Sequence, residues 1–332
     1  MPMVVCLPIG SNTGAHDGTN SIETAIETLT KQNGLIFVTG TGNEGDKDSH
    51  TQGKFMKPGE MKVLEVRVDK MQKSLNFQIY IQQPDKVSLG VVSPSGEVIE
   101  KIQVRIDRVE NVSFVYEGTT MRISYLYPDL VTGDEVINIE ARGLKEGIWQ
   151  FRLYGDYIVD GRYWAWLPQR SLLEPDTKFL SPSQYITLTI PSTGKNVIST
   201  AYYNQNNNAT VGESGRGFTR DGRIKPDIAA GGINALVAAP GGGTKVISGS
   251  SVAAAVTTGC CALIMEWGIV KGNAPRLYAS EIRTYLIRGT NMRVGDIYPN
   301  GQWGYGALDI KGVFDAIREN LSGGVNNTRI NK

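Results

Sequence analysis

The sequence predicts an α/β protein: a parallel sheet with helices on both faces, interrupted by an inserted antiparallel β domain of the sandwich or jelly-roll kind. Apolar runs at residues 4–9 and 35–39 flank a stretch of helical periodicity, the pattern of a strand–helix–strand unit with a right-handed crossover. From residue 54 to about residue 180 the pattern changes to alternation with period two, broken by turn residues. Helical periodicity returns only beyond residue 250, so an all-β block sits inside an α/β chain.

Each element has its own reason. The runs at 4–9 and 35–39 are continuously apolar, as strands covered on both faces must be. Between them Ile22, Ala25, Ile26 and Leu29 recur at helical spacing, with residues 19–21 able to cap the start and Gly34 the end. In the β block, Leu64, Val66 and Val68 alternate with charged residues. Leu75, Phe77, Ile79 and Ile81 do the same, followed by Met121, Ile123 and Tyr125, by Val136 and Ile139 less strictly, and by Ile148, Phe151 and Leu153. Turns PSGE at 94–97 and VTGDE at 131–135 separate strands. Tyr163, Trp149, Trp164 and Trp166 read as packing residues on these strands rather than a ligand platform. Residues 251–267 form a candidate buried helix, 279–288 place Ile282 and Leu286 on one face, and 312–319 do so with Val313, Phe314 and Ile317. The expected organisation is residues 1–53 and 181–320 as one α/β domain, 54–180 as the inserted β domain, and 321–332 as a disordered tail.

The 332 residues suffice for about two domains. With 34 Lys plus Arg against 33 Asp plus Glu, the net charge of +1 offers no bulk field for nucleic acid or an anionic membrane, so neither is expected as a partner. Residues 246–265 carry no charge, but Ser, Thr and Gly interrupt them, so a helix buried all round is expected rather than a membrane span. Three cysteines, with Cys260 and Cys261 adjacent, cannot make a disulfide framework and read as packing residues of a reducing compartment. The start, MPMVVCLPIG, lacks the basic region and long apolar stretch of a signal peptide. A cytoplasmic location is therefore expected over a secreted one, and the N-x-[ST] triplets at Asn111, Asn208 and Asn320 carry little weight.

Two motifs invite nucleotide readings and fail on context. GTGNEG at 40–45 has the G-x-G-x-x-G spacing, but the residues after it are polar and broken by Gly53 and Pro58 where a helix should begin. PGGGTK at 240–245 lacks the six-residue frame of a phosphate-binding loop. Asn43 can instead be read as a side-chain donor to a developing oxyanion, or simply as part of a glycine-lined turn. SGSS at 248–251 offers a serine that opens an apolar helix, as a cap or as a nucleophile.

The order of these elements resembles that of the subtilisin-like serine proteases. LPIGS, VTGTGNEG, TIPSTGKNVISTAYY, GFTRDGRIKPDIAAGG, SGSSVAAAV and WGYGALDI succeed one another as in that family. The nucleophile motif G-T-S-x-A-x-P is met by GSSVAAA, with Ser250 for threonine and Ala255 for proline. The SVAAA variant, the GAHDGT loop and the inserted β domain are most similar to the clostridial spore-germination branch. The resemblance implies Ser251 as nucleophile and Asn43 as oxyanion donor. It further implies that Pro8, Ile9 and Gly10 pair with an extended substrate, while Gly40, Thr41 and Gly42 wall the pocket for the residue before the scissile bond. The substrate would be a protein or peptide, and no cofactor is implied. Acids at 46–48 offer carboxylates for structural calcium without a spacing that assigns it.

A serine nucleophile needs a base and an orienting carboxylate. The resemblance implies that the aspartate and histidine motifs precede the first strand, so the chain is expected to begin after both and to lack activity alone. His16 and His50, the two histidines, read as surface-loop residues rather than the base. An N-terminal fragment supplying the missing pair is an expected partner. The alternative is an inactive pseudoprotease or binding module on the same scaffold.

Overall fold

The computed structural model describes residues 1–106 and 108–326. Two compact units emerge: Met1–Gly10, His16–Gly45 and Tyr185–Lys332 form one, and Ser11–Ala15 with Asp46–Gln184 form the other. The β unit therefore begins before residue 54 and ends after residue 180, and it takes in a short early segment that no periodicity marks.

The first unit opens with β1 (Met3–Leu7), α1 (Ser21–Leu29) and β2 (Leu35–Gly40). β1 and β2 are parallel, in register from Met3 opposite Leu35 to Leu7 opposite Thr39. Asn20 caps α1: its Oδ1 accepts from the Ile22 N–H at 3.2 Å, and Glu23 Oε2 accepts from the Asn20 N–H at 3.2 Å, a reciprocal capping box.

The second unit contains β3 (His50–Lys54), β4 (Met61–Val68), β5 (Ser74–Ile81), β6 (Lys86–Val92), β7 (Val98–Ile102), β8 (Val109–Phe114), β9 (Thr119–Leu126), β10 (Glu135–Arg142), β11 (Gly147–Tyr157), β12 (Arg162–Trp166) and β13 (Lys178–Phe179). They form two antiparallel sheets, in the orders β3-β12-β5-β10-β9-β8 and β13-β4-β11-β6-β7. Apart from Ile148, which is exposed while Trp149 beside it turns inward, the alternating residues are the ones buried: Leu64, Val66, Phe77, Ile79, Ile123, Trp149 and Phe151 share one core, with Phe77 and Phe151 edge to face at 5.0 Å. Period two puts one side of each strand into this sandwich, and that burial holds the register.

Glu135 lies wholly buried in this unit, and burial pushes its carboxyl up from 4.5 to about 8, the Val87 N–H opposing. A raised folded-state value means the stabilisation from the neutral acid is fully present below 4.5 and is lost as pH rises through about 8. Glu135→Gln keeps an acceptor for Val87 and cannot ionise. It is expected to flatten that slope and raise stability above pH 8 by up to about 4 kcal/mol. Urea unfolding of both proteins across this range checks it; parallel pH profiles would refute it.

The first unit resumes with β14 (Ile198–Asn204), β15 (Ala209–Thr210), β16 (Ile228–Gly231), β17 (Ala235–Ala238), β18 (Thr244–Ile247), α2 (Ser250–Met265), α3 (Ala279–Arg288) and α4 (Ile310–Asn326). β14 lies parallel between β2 and β16. Strand alternation sends Ile36 and Val38 to the face carrying Cys261, Ile264, Ile282, Leu286, Val313 and Ile317. Phe37 points the other way, onto Ile26 of α1 and Val197. The sheet thus has helices on both faces, as expected.

Three details correct the sequence reading. Val246 and Ile247 belong to the hairpin β17–β18 rather than to the apolar helix; Gly241, Gly242 and Gly243 turn it at positive φ. Nor is α2 buried all round. Val252, Ala253, Ala254, Thr257, Cys261 and Ile264 face the sheet, whereas Ser251, Ala255, Val256, Gly259, Ala262 and Leu263 are exposed. A helix without charges gives no clue to which side meets the sheet. With its five-residue continuation to Val270, it is the one helix among the described residues long and apolar enough to cross a membrane, and its sheet side is core. Finally, α4 runs to Asn326, past the expected end at 320, and the rest of the expected tail, 327–332, lies outside the described residues. Burial pushes the Cys261 thiol up, which fits a packing role.

Candidate functional site

The end of β2 and the start of α2 meet. A β-carbon on Gly40 would stand 2.5 Å from the Ser250 carbonyl oxygen, so glycine is what lets the strand approach the helix this closely. Gly42, at φ +85°, then turns the chain so that Asn43 reaches the helix N-terminus. There the Asn43 Oδ1 accepts from the Ser250 N–H at 3.1 Å. With its oxygen so engaged, the amide nitrogen Nδ2 is the group left to donate.

Ser251 occupies the first turn of α2, exposed to solvent, while Ser250 beside it is buried. Its backbone N–H has no preceding helical carbonyl to bond, and the positive end of the helix dipole lies here. Ser251 and the Asn43 side chain are thus both exposed at the N-terminus of α2. The loop carrying Asn43 is clamped on both sides. Thr189 N–H donates to Thr41 O at 3.0 Å, Gly215 N–H to Gly42 O at 3.1 Å, and Thr41 N–H to Thr200 O at 3.0 Å.

Gly40→Ala is expected to push the helix start away from Asn43. Overpacking of this kind costs about 1–3 kcal/mol, and a displacement of ~1 Å costs about 10²-fold in turnover. Thermal melting checks the first and, for the peptidase the resemblance implies, peptide hydrolysis checks the second; an unchanged turnover would show the contact to be slack.

The remaining residues expected to border substrate fall at the ends of the two strands. Pro8, Ile9 and Gly10 come directly after β1, with Pro8 and Ile9 exposed, and Gly40, Thr41 and Gly42 are consecutive at the end of β2. Thr189 was not legible as part of this group, yet its side chain lies between Gly10 and Gly42. Lys225 was also missed. It is buried, bonds Val197 O at 2.6 Å and Asp227 at 2.7 Å, and burial lowers it to about 8 against the pull of Asp227. Asp227 in turn accepts from the Ser199 N–H at 2.7 Å, tying β16 to β14 behind the site.

Neither histidine is a surface residue, which corrects the sequence reading. His16 is buried at φ +52°, with Nδ1 2.7 Å from the Leu188 carbonyl. His50 is buried in the β unit, its Nδ1 3.0 Å from the Ala165 carbonyl and its ring stacked on Trp166 at 4.6 Å. Both lie in loops or at a strand start rich in polar residues, where sequence carries no burial signal. Among the described residues no histidine hydrogen-bonds to Ser251. The acids at 46–48 are engaged elsewhere: Asp46 pairs with Lys47 at 2.9 Å and Asp48 with Lys178 at 3.1 Å. No group of three His, Cys, Asp or Glu able to hold a metal occurs among the described residues.

Comparison with known proteins adds to this geometry. The sequence profile of the subtilase family matches residues 178–306. The structure is similar to that of the Clostridium perfringens CspB protease, with 31% identity and a TM-score of 0.88 over 96% of this chain and 67% of that one. The self-cleaved protease domain of PatA is similar at 22% identity and a TM-score of 0.34, over 41% of this chain and 46% of that one. No curated protein sequence matches.

Proposed function

The chain belongs to the subtilase family, and from that premise we propose that it is the serine-bearing part of an endopeptidase working through an acyl-enzyme on Ser251. The observation that carries this is the hydrogen bond from the Ser250 N–H to Asn43 Oδ1, which holds the Asn43 amide beside an exposed Ser251 at a helix N-terminus. In the reaction the Ser251 oxygen attacks the peptide carbonyl and its proton passes to a base. The carbonyl oxygen takes negative charge opposite Asn43 Nδ2 and the Ser251 N–H, and the base returns the proton to the leaving amine. Pro8, Ile9 and Gly10 align an extended protein or peptide substrate, and Gly40, Thr41 and Gly42 border the residue before the scissile bond.

The base histidine and its aspartate come, in this reading, from a polypeptide segment outside these residues that docks along α2. The exposed Val256 and Leu263 on that helix support it, as does the outer edge of β1, which pairs with no strand among the described residues. The chain alone is then inactive. The β unit serves stability or docking. Its jelly-roll character is supported by early strands pairing with late ones, β4 with β11 and β5 with β10, while β6–β7 and β8–β9 remain local hairpins. Free thiols at Cys6, Cys260 and Cys261 accord with a reducing, cytoplasmic or spore-associated location.

A second reading, a pseudoprotease that binds a partner without cleaving it, is favoured by the lack of a histidine on Ser251. A serine-directed fluorophosphonate separates the two. The protease reading expects slow labelling of the chain alone and fast labelling at Ser251 once the histidine-bearing segment is added. Fast labelling without that segment would overturn the missing base and the pseudoprotease reading together. No acceleration on adding it would favour the binding module.

A further inference from the structure

The oxyanion position beside Asn43 fixes where the substrate residue before the scissile bond must sit, because its side chain leaves from the α-carbon adjoining the carbonyl held there. That side chain falls against Gly42, the neighbour of Asn43, and Gly10, at the end of the substrate-aligning segment. Between these two glycines lies the side chain of Thr189. A β-carbon built on Gly10 would meet Thr189 Oγ1 at 2.5 Å, and one built on Gly42 would meet the same oxygen at 2.5 Å. Thr189 is 1% exposed, and its Oγ1 has no hydrogen-bond partner. Its backbone is pinned, the N–H to Thr41 O at 3.0 Å and the carbonyl accepting from Ser192 N–H at 2.8 Å and Ser192 Oγ at 2.6 Å.

We propose that Thr189 is the specificity-determining residue of this site, closing the pocket floor so that the residue before the scissile bond must be small: glycine, alanine or serine. The inference rests on the serine-peptidase reading above. A threonine held at both ends of its own backbone cannot withdraw, and glycines on either side bring main chain, not flexible side chain, against it, so a leucine or phenylalanine finds no volume. The unpartnered hydroxyl suits a small polar side chain such as serine, which would satisfy a buried group that otherwise costs stability.

The test uses the chain together with the histidine-bearing segment of the proposed function, and two peptide boronic acids that differ only in the residue at boron, an alanine or a phenylalanine analogue. The Ser251 oxygen adds to boron, which becomes a tetrahedral anion, and the serine proton passes to solvent. The alanine analogue is expected to bind at least about 100-fold more tightly than the phenylalanine analogue. Thr189→Gly, which keeps the pinning backbone bonds, should narrow or reverse that ratio, with Thr189→Ser in between. If Thr189→Gly fails to fold, the ratio in the unaltered chain and in Thr189→Ser decides. Equal binding of both analogues overturns the closed floor while leaving the peptidase reading intact. Binding of neither, with no adduct at Ser251, overturns that reading and this inference with it.

Discussion

Changing Ser251 to alanine is expected to lower peptide turnover by the complete protease by up to about 10⁶-fold, because a nucleophile and its base act as one unit and removing either leaves little more than removing both. The fold should tolerate the change. Ser251 is exposed in the first turn of α2 and caps nothing, since the cap position is Gly249. Melting temperature should therefore stay within a degree or two of the parent, as for surface changes generally. The measurement is turnover and melting of the two proteins side by side. Equal turnover would remove Ser251 from the chemistry, and the neighbouring Ser250, which is buried, offers no substitute.

The second large effect separates two roles of Asn43. Its Oδ1 accepts from the Ser250 N–H, a capping role, and in the proposed reaction its Nδ2 donates to the oxyanion, a chemical role. Asn43→Asp keeps the acceptor and places a negative charge at a helix N-terminus, where it is stabilising by about 0.3–1 kcal/mol. The same change removes the donor and sets a carboxylate against the developing oxyanion. Stability should hold or rise while turnover falls by about 10²–10³-fold or more, the scale of losing one oxyanion donor. KM should change little, because the interaction exists only in the transition state. A purely structural Asn43 would leave turnover unchanged in the aspartate variant, so the opposite signs of the two readouts are the test.

Much of the α/β core was legible because its signals are local. Ile36 and Val38 on one side of β2 and Phe37 on the other are the expected outcome of a continuous apolar run. α3 falls at the expected residues, since its apolar positions recur cleanly among charged ones. In the β unit, the alternation of Leu64, Val66, Phe77 and Ile79 reported burial because each strand has one buried face. Asn43 and Ser251 were singled out by the order of motifs shared with the subtilases, while Thr189 carries no local mark: a threonine between apolar residues is compatible with any strand.

By itself, then, the sequence determined the α/β class and the alternating strands within it, because periodicity is written within a few neighbouring residues. Only the tertiary structure decided which side of the uncharged α2 stays open, that His16 and His50 are buried, and that Ser11–Ala15 belongs with the β unit. It alone brought Thr189 between Gly10 and Gly42. These facts depend on contacts between residues more than a hundred positions apart, and long-range packing leaves no periodic trace in the segments it joins.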